Sequence, residues 1–161
     1  QMTRERFIDL VRGEQESLRR FLLALCGGDS SLADDIAQDA LVRAYVASGT
    51  FLGLSKFSTW LFRIAYNCYL DHLRKPKFET LPTDARQVLS LPSADETDGR
   101  FKYQKLYQAL NMLQDKEKAV IALFYFEERS IKDIASILQM PSGTVKYHLS
   151  AARNHLKSIL Q

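Results

Sequence analysis

Apolar side chains recur along this chain at spacings of three and four, the period of an amphipathic α-helix. Phe7, Ile8, Val11, Leu18, Phe21, Leu22 and Leu25 line one face of residues 3–26, with Gly13 as a candidate bend. Gly27-Gly28 stops that run. A second helix is expected from Ser31-Leu32-Ala33-Asp34, a serine three residues before an acid. Its apolar face is Ile36, Ala37, Ala40, Leu41, Ala44 and Tyr45. Acids in its first turns suit the helix dipole, which accounts for Asp34. Asp35, Gln38 and Asp39 are open to a partner.

Residues 48–58 break the period with Gly49 and Gly53 yet carry Phe51, Leu52, Leu54 and Phe57. So apolar a loop is expected to tuck part of itself onto its domain and hold part for a ligand. Ser58 is the expected cap of the next helix, and Pro76 ends it. Leu61, Ile64, Ala65, Cys68 and Leu73 read as its core. Trp60, Phe62, Arg63, Tyr66, Asn67 and Tyr69 set rings beside polar groups, the mixture that stacks and reads single-stranded bases. Taken singly, each ring is better explained as core.

Residues 77–100 lose the period and carry Pro82, Pro92 and Gly99, the marks of a flexible linker. As a coil it reaches about 27 Å. Val88, Leu89 and Leu91 are a small apolar cluster within it. From Phe101 the period returns through Leu106, Leu110 and Leu113, with Asp115 as the next cap and 118–126 as a core helix. A short amphipathic helix over 130–139, a turn at Met140-Pro141-Ser142-Gly143 and a last helix from Thr144 follow, with Ser142 capping. Val145, Leu149, Ala152, Leu156 and Ile159 form the last helix's apolar stripe, and Tyr147, Ser150, Ala151 and Asn154 lie opposite. Lys146, Arg153 and Lys157 flank it on one side, His148 and His155 on the other. Helix, short turn, helix is a helix-turn-helix, whose second helix enters the DNA major groove. From this segment alone, an ordinary surface helix pair with basic flanks stays open. The expected architecture is all-α: two small helical domains, 1–76 and 101–161, joined by the flexible linker 77–100, the C-terminal one a helix-turn-helix.

Charge sharpens this picture. Residues 1–74 balance nine basic against nine acidic side chains, whereas 129–161 carry five basic and one acidic. The chain's net +3 therefore resides on the helix-turn-helix, where phosphates would be met. Cys26 and Cys68 stand alone, without metal-ligand spacing, and read as buried reduced thiols. A glycine-rich phosphate loop, a nucleophile elbow and a metal triad are all missing from the sequence, so a binding protein without cofactor, metal or small-molecule substrate is expected rather than an enzyme. No run reaches membrane-spanning length and no signal peptide is visible, so a cytoplasmic protein is expected.

Three stretches in order resemble the extracytoplasmic-function (ECF) group of bacterial sigma-70-type sigma factors, the promoter-recognition subunits of RNA polymerase. They are Ala33 to Tyr45, Phe57 to Asn67 with Asp71 and Arg74 following, and Asp133-Ile134-Ala135 with Gly143 to Lys146 and Ala152-Arg153. The resemblance implies that Asp35, Gln38, Asp39 and Arg43 contact the clamp helices of the polymerase beta-prime subunit, and that the second domain meets the beta flap. It implies that Phe51, Trp60, Arg63 and Asn67 bind the minus-ten element, Phe51 and its loop holding a flipped base that Asn67 reads. It implies that Lys146, Tyr147, His148, Ser150 and Arg153 face the minus-thirty-five element, and that an anti-sigma factor is a partner. The chain departs from the family pattern in Asp133, usually Glu, in Ala151, often Arg, and in Leu52 and Leu54, often Arg and a polar residue. Fewer cations on the recognition helix and a more apolar capture loop follow.

Thr144 to His148 also resembles the recognition helix of LuxR-type regulators, which makes a stand-alone transcriptional regulator the alternative. Such a regulator has no use for the stretch from Trp60 to Asn67. A pure protein-interaction scaffold is a third class, marked by absence of salt-sensitive DNA binding.

Overall fold

The computed structural model describes residues 2–74 and 94–160, with side chains over 2–74 and 103–160. Regular structure among the described residues is helical throughout: α1 Arg4–Leu25, α2 Ser30–Val46, a 3-10 turn Ser48–Thr50, α3 Phe57–Arg74, α4 Ala94–Asn111, α5 Asp115–Ile121 running into a π turn Ala122–Phe126, α6 Ile131–Leu138 and α7 Ser142–Leu160. Of the linker residues, 77–93 lie outside the described part, and with them Pro82, Pro92 and the cluster Val88, Leu89 and Leu91. Helix α4 starts at Ala94, ahead of Phe101.

The caps differ from the sequence expectation by one or two residues each. Asp29, not Ser31, caps α2, its carboxylate accepting from the Leu32 N–H at 3.0 Å. Ser58 lies inside α3 and is buried, and its hydroxyl accepts from Arg129 at 3.0 Å. Gln114 rather than Asp115 precedes α5, held by Glu117, which accepts the Gln114 N–H at 3.3 Å. Helix α7 begins at Ser142, because the carbonyl of Pro141 already accepts from Val145 at 3.1 Å. Gly143 is therefore helical. The left-handed residue of the helix-turn-helix is Gln139, at φ 55°. Helix α1 passes through Gly13 unbroken, since nothing there requires a bend.

Helices α1, α2 and α3 pack as a three-helix unit around Phe21, Ile36, Leu61 and Ala65. Phe21 stacks on Phe62, centroids 5.4 Å apart and planes 15° from parallel. The second group packs α5 and α6 against α7 through Val120, Leu123, Ile134, Val145 and Leu149. The two groups share one apolar core. Helix α1 lies against α5 and the π turn, and α3 lies against α6. At Gly28 (φ 88°) the ring of Tyr107 comes so near that a Cβ would meet it at 2.9 Å. This union buries Phe62, Tyr66 and Tyr69, while Leu73, expected in the core, is half exposed at 52%.

Candidate nucleic-acid interface

The loop between α2 and α3 divides its apolar side chains. Phe51 packs on Trp60 at 5.2 Å and on Phe57 at 5.9 Å, and Phe57 meets Phe7 edge-on at 6.1 Å. Those rings anchor the loop. At its tip, where Gly53 takes φ 75°, Leu52 and Leu54 are 76% and 90% exposed. Trp60, Arg63 and Asn67 sit three and four residues apart on α3, so they share one face. Trp60 is half-buried and Asn67 exposed. The Arg63 guanidinium is already engaged: Nε donates to the Ser136 carbonyl at 3.0 Å and Nη2 to the Ser136 hydroxyl at 2.7 Å.

On α2, Asp35 and Gln38 are exposed. Asp39 and Arg43 belong to an ion-pair cluster with α3, in which Arg43 donates to Asp71 at 2.7 Å and to Asp39 at 3.2 Å. The hydrogen bond from Arg43 holds the Asp71 carboxyl below its ordinary range and raises the already high pKa of Arg43. Asp34 turns away to Arg19 at 3.3 Å, a structural contact. The sequence expectation left Val42 and Val46 unassigned, yet they are 62% and 80% exposed beside these polar groups. Their signal was their place off the apolar stripe.

On α7, Lys146, Tyr147 and Ser150 are exposed on one face, and His148 is half-buried with its ring 5.4 Å from that of Tyr147. Arg153 leans back onto the domain, its Nε donating to the Tyr125 hydroxyl and its guanidinium 5.6 Å from the Phe124 ring centroid. His155 faces Glu117 at 2.7 Å. The arrangement thus offers three separate surfaces: the α2 face, the loop with α3, and the N-terminal part of α7.

A family model for Sigma-70 region 2 matches residues 2–78, and one for Sigma-70, region 4 matches residues 103–156. The chain is 32% identical to the ECF RNA polymerase sigma factor SigW of Bacillus subtilis, over 96% of this chain and 89% of that protein. The chain belongs to the ECF sigma factors of the sigma-70 family. It is also 32% identical to the RNA polymerase sigma-H factor of Pseudomonas aeruginosa, over 83% of this chain and 75% of that one. In structure it resembles the sigma factor RpoE of Bartonella quintana, solved in complex with the anti-sigma factor NepR, at a TM-score of 0.78 and 29% identity over 96% of both chains. The region 2 match covers the part of this sigma factor that a LuxR-type regulator leaves unexplained, and nothing favours that alternative. Among the described residues, no helix of the sigma factor is long and apolar enough to cross a membrane.

Sequence reasoning missed one group of residues in this sigma factor. Glu127 and Arg129, at the junction of the π turn and α6, reach back to Glu14, Ser17, Arg20 and Ser58. The pattern Glu127-Glu128-Arg129 after an apolar run was the only local trace of it.

Proposed function

We propose that this sigma factor gives core RNA polymerase its promoter preference, residues 1–76 holding polymerase and the minus-ten element, 101–161 the minus-thirty-five element, and 77–100 joining them. The observation that carries this is the loop and α3 acting as one unit. Phe51 is seated on Trp60, Arg63 and Asn67 follow on the same helical face, and Leu52 and Leu54 project beside them. That is an apolar wall next to hydrogen-bonding groups, suited to an unstacked base whose extrusion costs a few kcal/mol. Asn67 would read the base edge, and Trp60 and Arg63 would hold the strand.

The exposed α2 face supports a polymerase contact. Asp35, Gln38, Asp39 and Arg43 surround the exposed Val42 and Val46, a charged rim about an apolar centre. For the upstream element, Lys146, Tyr147, His148 and Ser150 supply the recognition face, and Arg153 contributes only after leaving Tyr125. The likeness to RpoE, which was solved with NepR, supports an anti-sigma partner competing for such faces, and the beta flap is the expected site for the second domain. The factor works by binding, without bond-making chemistry of its own, in the cytoplasm where polymerase is.

The test is run-off transcription with core polymerase over genomic fragments, with start sites mapped. Discrete starts that depend on the added protein are expected. Failure to form a complex with core polymerase overturns the reading.

A further inference from the structure

Helix α7 carries its charge on its flanks and an uncharged surface between them. Val145, Leu149 and Ala152 are buried, where α7 lies against α5 and α6. At about 100° per residue, the outward centre of the helix falls on Tyr147, Ser150, Ala151 and Asn154. Tyr147 is 69% exposed, Ser150 is exposed and Ala151 is half-buried. Lys146 and His148 stand to either side. Arg153 is engaged elsewhere: its Nε donates to the Tyr125 hydroxyl, and its guanidinium lies 5.5 Å and 5.6 Å from the ring centroids of Tyr125 and Phe124.

That distribution decides which base edges suit the helix. A guanidinium fork takes the O6 and N7 of guanine together, and the one arginine near this face already has a partner on its own domain. What the centre of the face offers instead is a phenol ring and a methyl group one helical turn apart. Among the donors and acceptors of the major groove, base pairs present one methyl group, at C5 of thymine. The ring is also held ready. His148 meets Tyr147 edge-on, centroids 5.4 Å apart and planes 68° from parallel. A tyrosine has few torsions to fix, so docking it orders little that was free before.

We propose that Tyr147 and Ala151 make the upstream element of this sigma factor thymine-dependent, by packing on thymine C5 methyl groups in the major groove, while Lys146 and His148 fix the helix on the flanking phosphates. This rests on the assignment of α7 to the upstream element made above, and adds the base chemistry that α7 selects. Ser150 brings a hydroxyl that bonds either kind of base pair, so it adds binding without adding choice. 5-Methylcytosine carries its methyl group at the same ring position as thymine. A methylated cytosine–guanine pair therefore meets the apolar part of the contact, and an unmethylated one does not.

The test uses the full chain assembled with core polymerase. Templates randomised upstream of a start mapped by run-off transcription are transcribed, and the successful ones are sequenced. Thymine is expected to be enriched at the positions that α7 reads. In the best template each upstream thymine is then exchanged singly for deoxyuridine, which keeps the pairing and removes the methyl group. Binding by the assembled polymerase is expected to fall about fourfold at such a position, the effect of one methyl group withdrawn from burial. There a 5-methylcytosine–guanine pair is expected to bind more tightly than its unmethylated counterpart. Tyr147→Ala and Ala151→Ser change side chains outside the core and are expected to fold as the parent does. Each is expected to lose the distinction between thymine and deoxyuridine at its own position, a ratio that a merely structural change does not move. Ala151→Arg is expected to turn the preference there toward guanine. Equal binding of thymine and deoxyuridine templates at every upstream position overturns the proposal, as does a distinction that survives in both variants. Discrete starts without methyl dependence refute the thymine reading alone. Failure to form a complex with core polymerase refutes the sigma role and this inference with it.

Discussion

Arg43 and Asp71 meet side chain to side chain at 2.7 Å, and through that contact α2 is tied to α3. The other arm of Arg43 takes Asp39, and Arg74 approaches Asp71 at 4.0 Å. The helix assigned to polymerase and the helix assigned to melted DNA therefore share one cation. A polymerase contact that pulls on Arg43 acts on both.

Because the hydrogen bond from Arg43 holds the Asp71 carboxyl below its ordinary 3.8, the pair stabilises the fold at neutral pH. A lowered carboxylate contributes above its unfolded pKa and loses that contribution as pH falls through its folded value. Both side chains are 44% exposed, so the contribution is that of a screened surface pair. Arg43→Gln is expected to cost about 0.2–1 kcal/mol at pH 7, with the difference from the parent shrinking as pH drops below 3.8. Urea titrations over a descending pH series measure it.

Asn67 is exposed and joins no contact in the core, so Asn67→Ala leaves the fold intact. Loss of one base-reading group is expected to lower open-complex formation by about tenfold, in line with ~1–3 kcal/mol for a specific base contact. Permanganate reactivity of the melted strand reads the effect, and duplex binding by 101–161 serves as the control. Unchanged melting on every promoter removes Asn67 from the site.

Leu52 and Leu54 project from the loop tip beyond the rings that anchor it. Replacing both with Ser is expected to change stability by less than about 0.5 kcal/mol. It is expected to shift which minus-ten bases are accepted. Transcription from a library randomised at that element shows whether preference moves while thermal stability holds.

Glu117 links the start of α5 to the recognition helix, accepting the Gln114 N–H at 3.3 Å and the His155 Nδ1–H at 2.7 Å with only 2% exposure. Glu117→Ala is expected to cost about 0.5–1.5 kcal/mol through the lost hydrogen bonds, because His155 is 57% exposed and its freed donor can turn to water. Glu117→Gln, which keeps one carbonyl oxygen, is expected to lose less. Denaturant midpoints of the three proteins settle the order.

Most of the fold was legible because helical period is a local property. The stripes of Phe7 to Leu25 and Val145 to Ile159 each mark a helix. Caps were less legible: Asp29 outcompetes Ser31, and Glu117 acts from inside α5 to promote Gln114, choices made by geometry across one turn. The burial of Phe62, Tyr66 and Tyr69 was expected ring by ring, but the helices that complete their cover come much later in the chain and were not legible from it. For the candidate site, the spacing of Trp60, Arg63 and Asn67 was visible in the sequence, and so was the split of the loop into anchored and projecting parts. That Arg63 is held by Ser136 and Arg153 by Tyr125 depends on tertiary contacts that no local pattern encodes.

The contact between Ser17 and Glu127 also has a place in time. Ser17 and Glu127 are 110 residues apart in the chain. At ~5–20 residues per second a ribosome delivers Glu127 roughly 5–20 s after Ser17. Throughout that interval α1, α2 and α3 can assemble while α6 does not yet exist. Each newly made molecule therefore begins life with Arg63 free of Ser136, and the contacts between its first three helices and the later ones form only when synthesis is nearly complete.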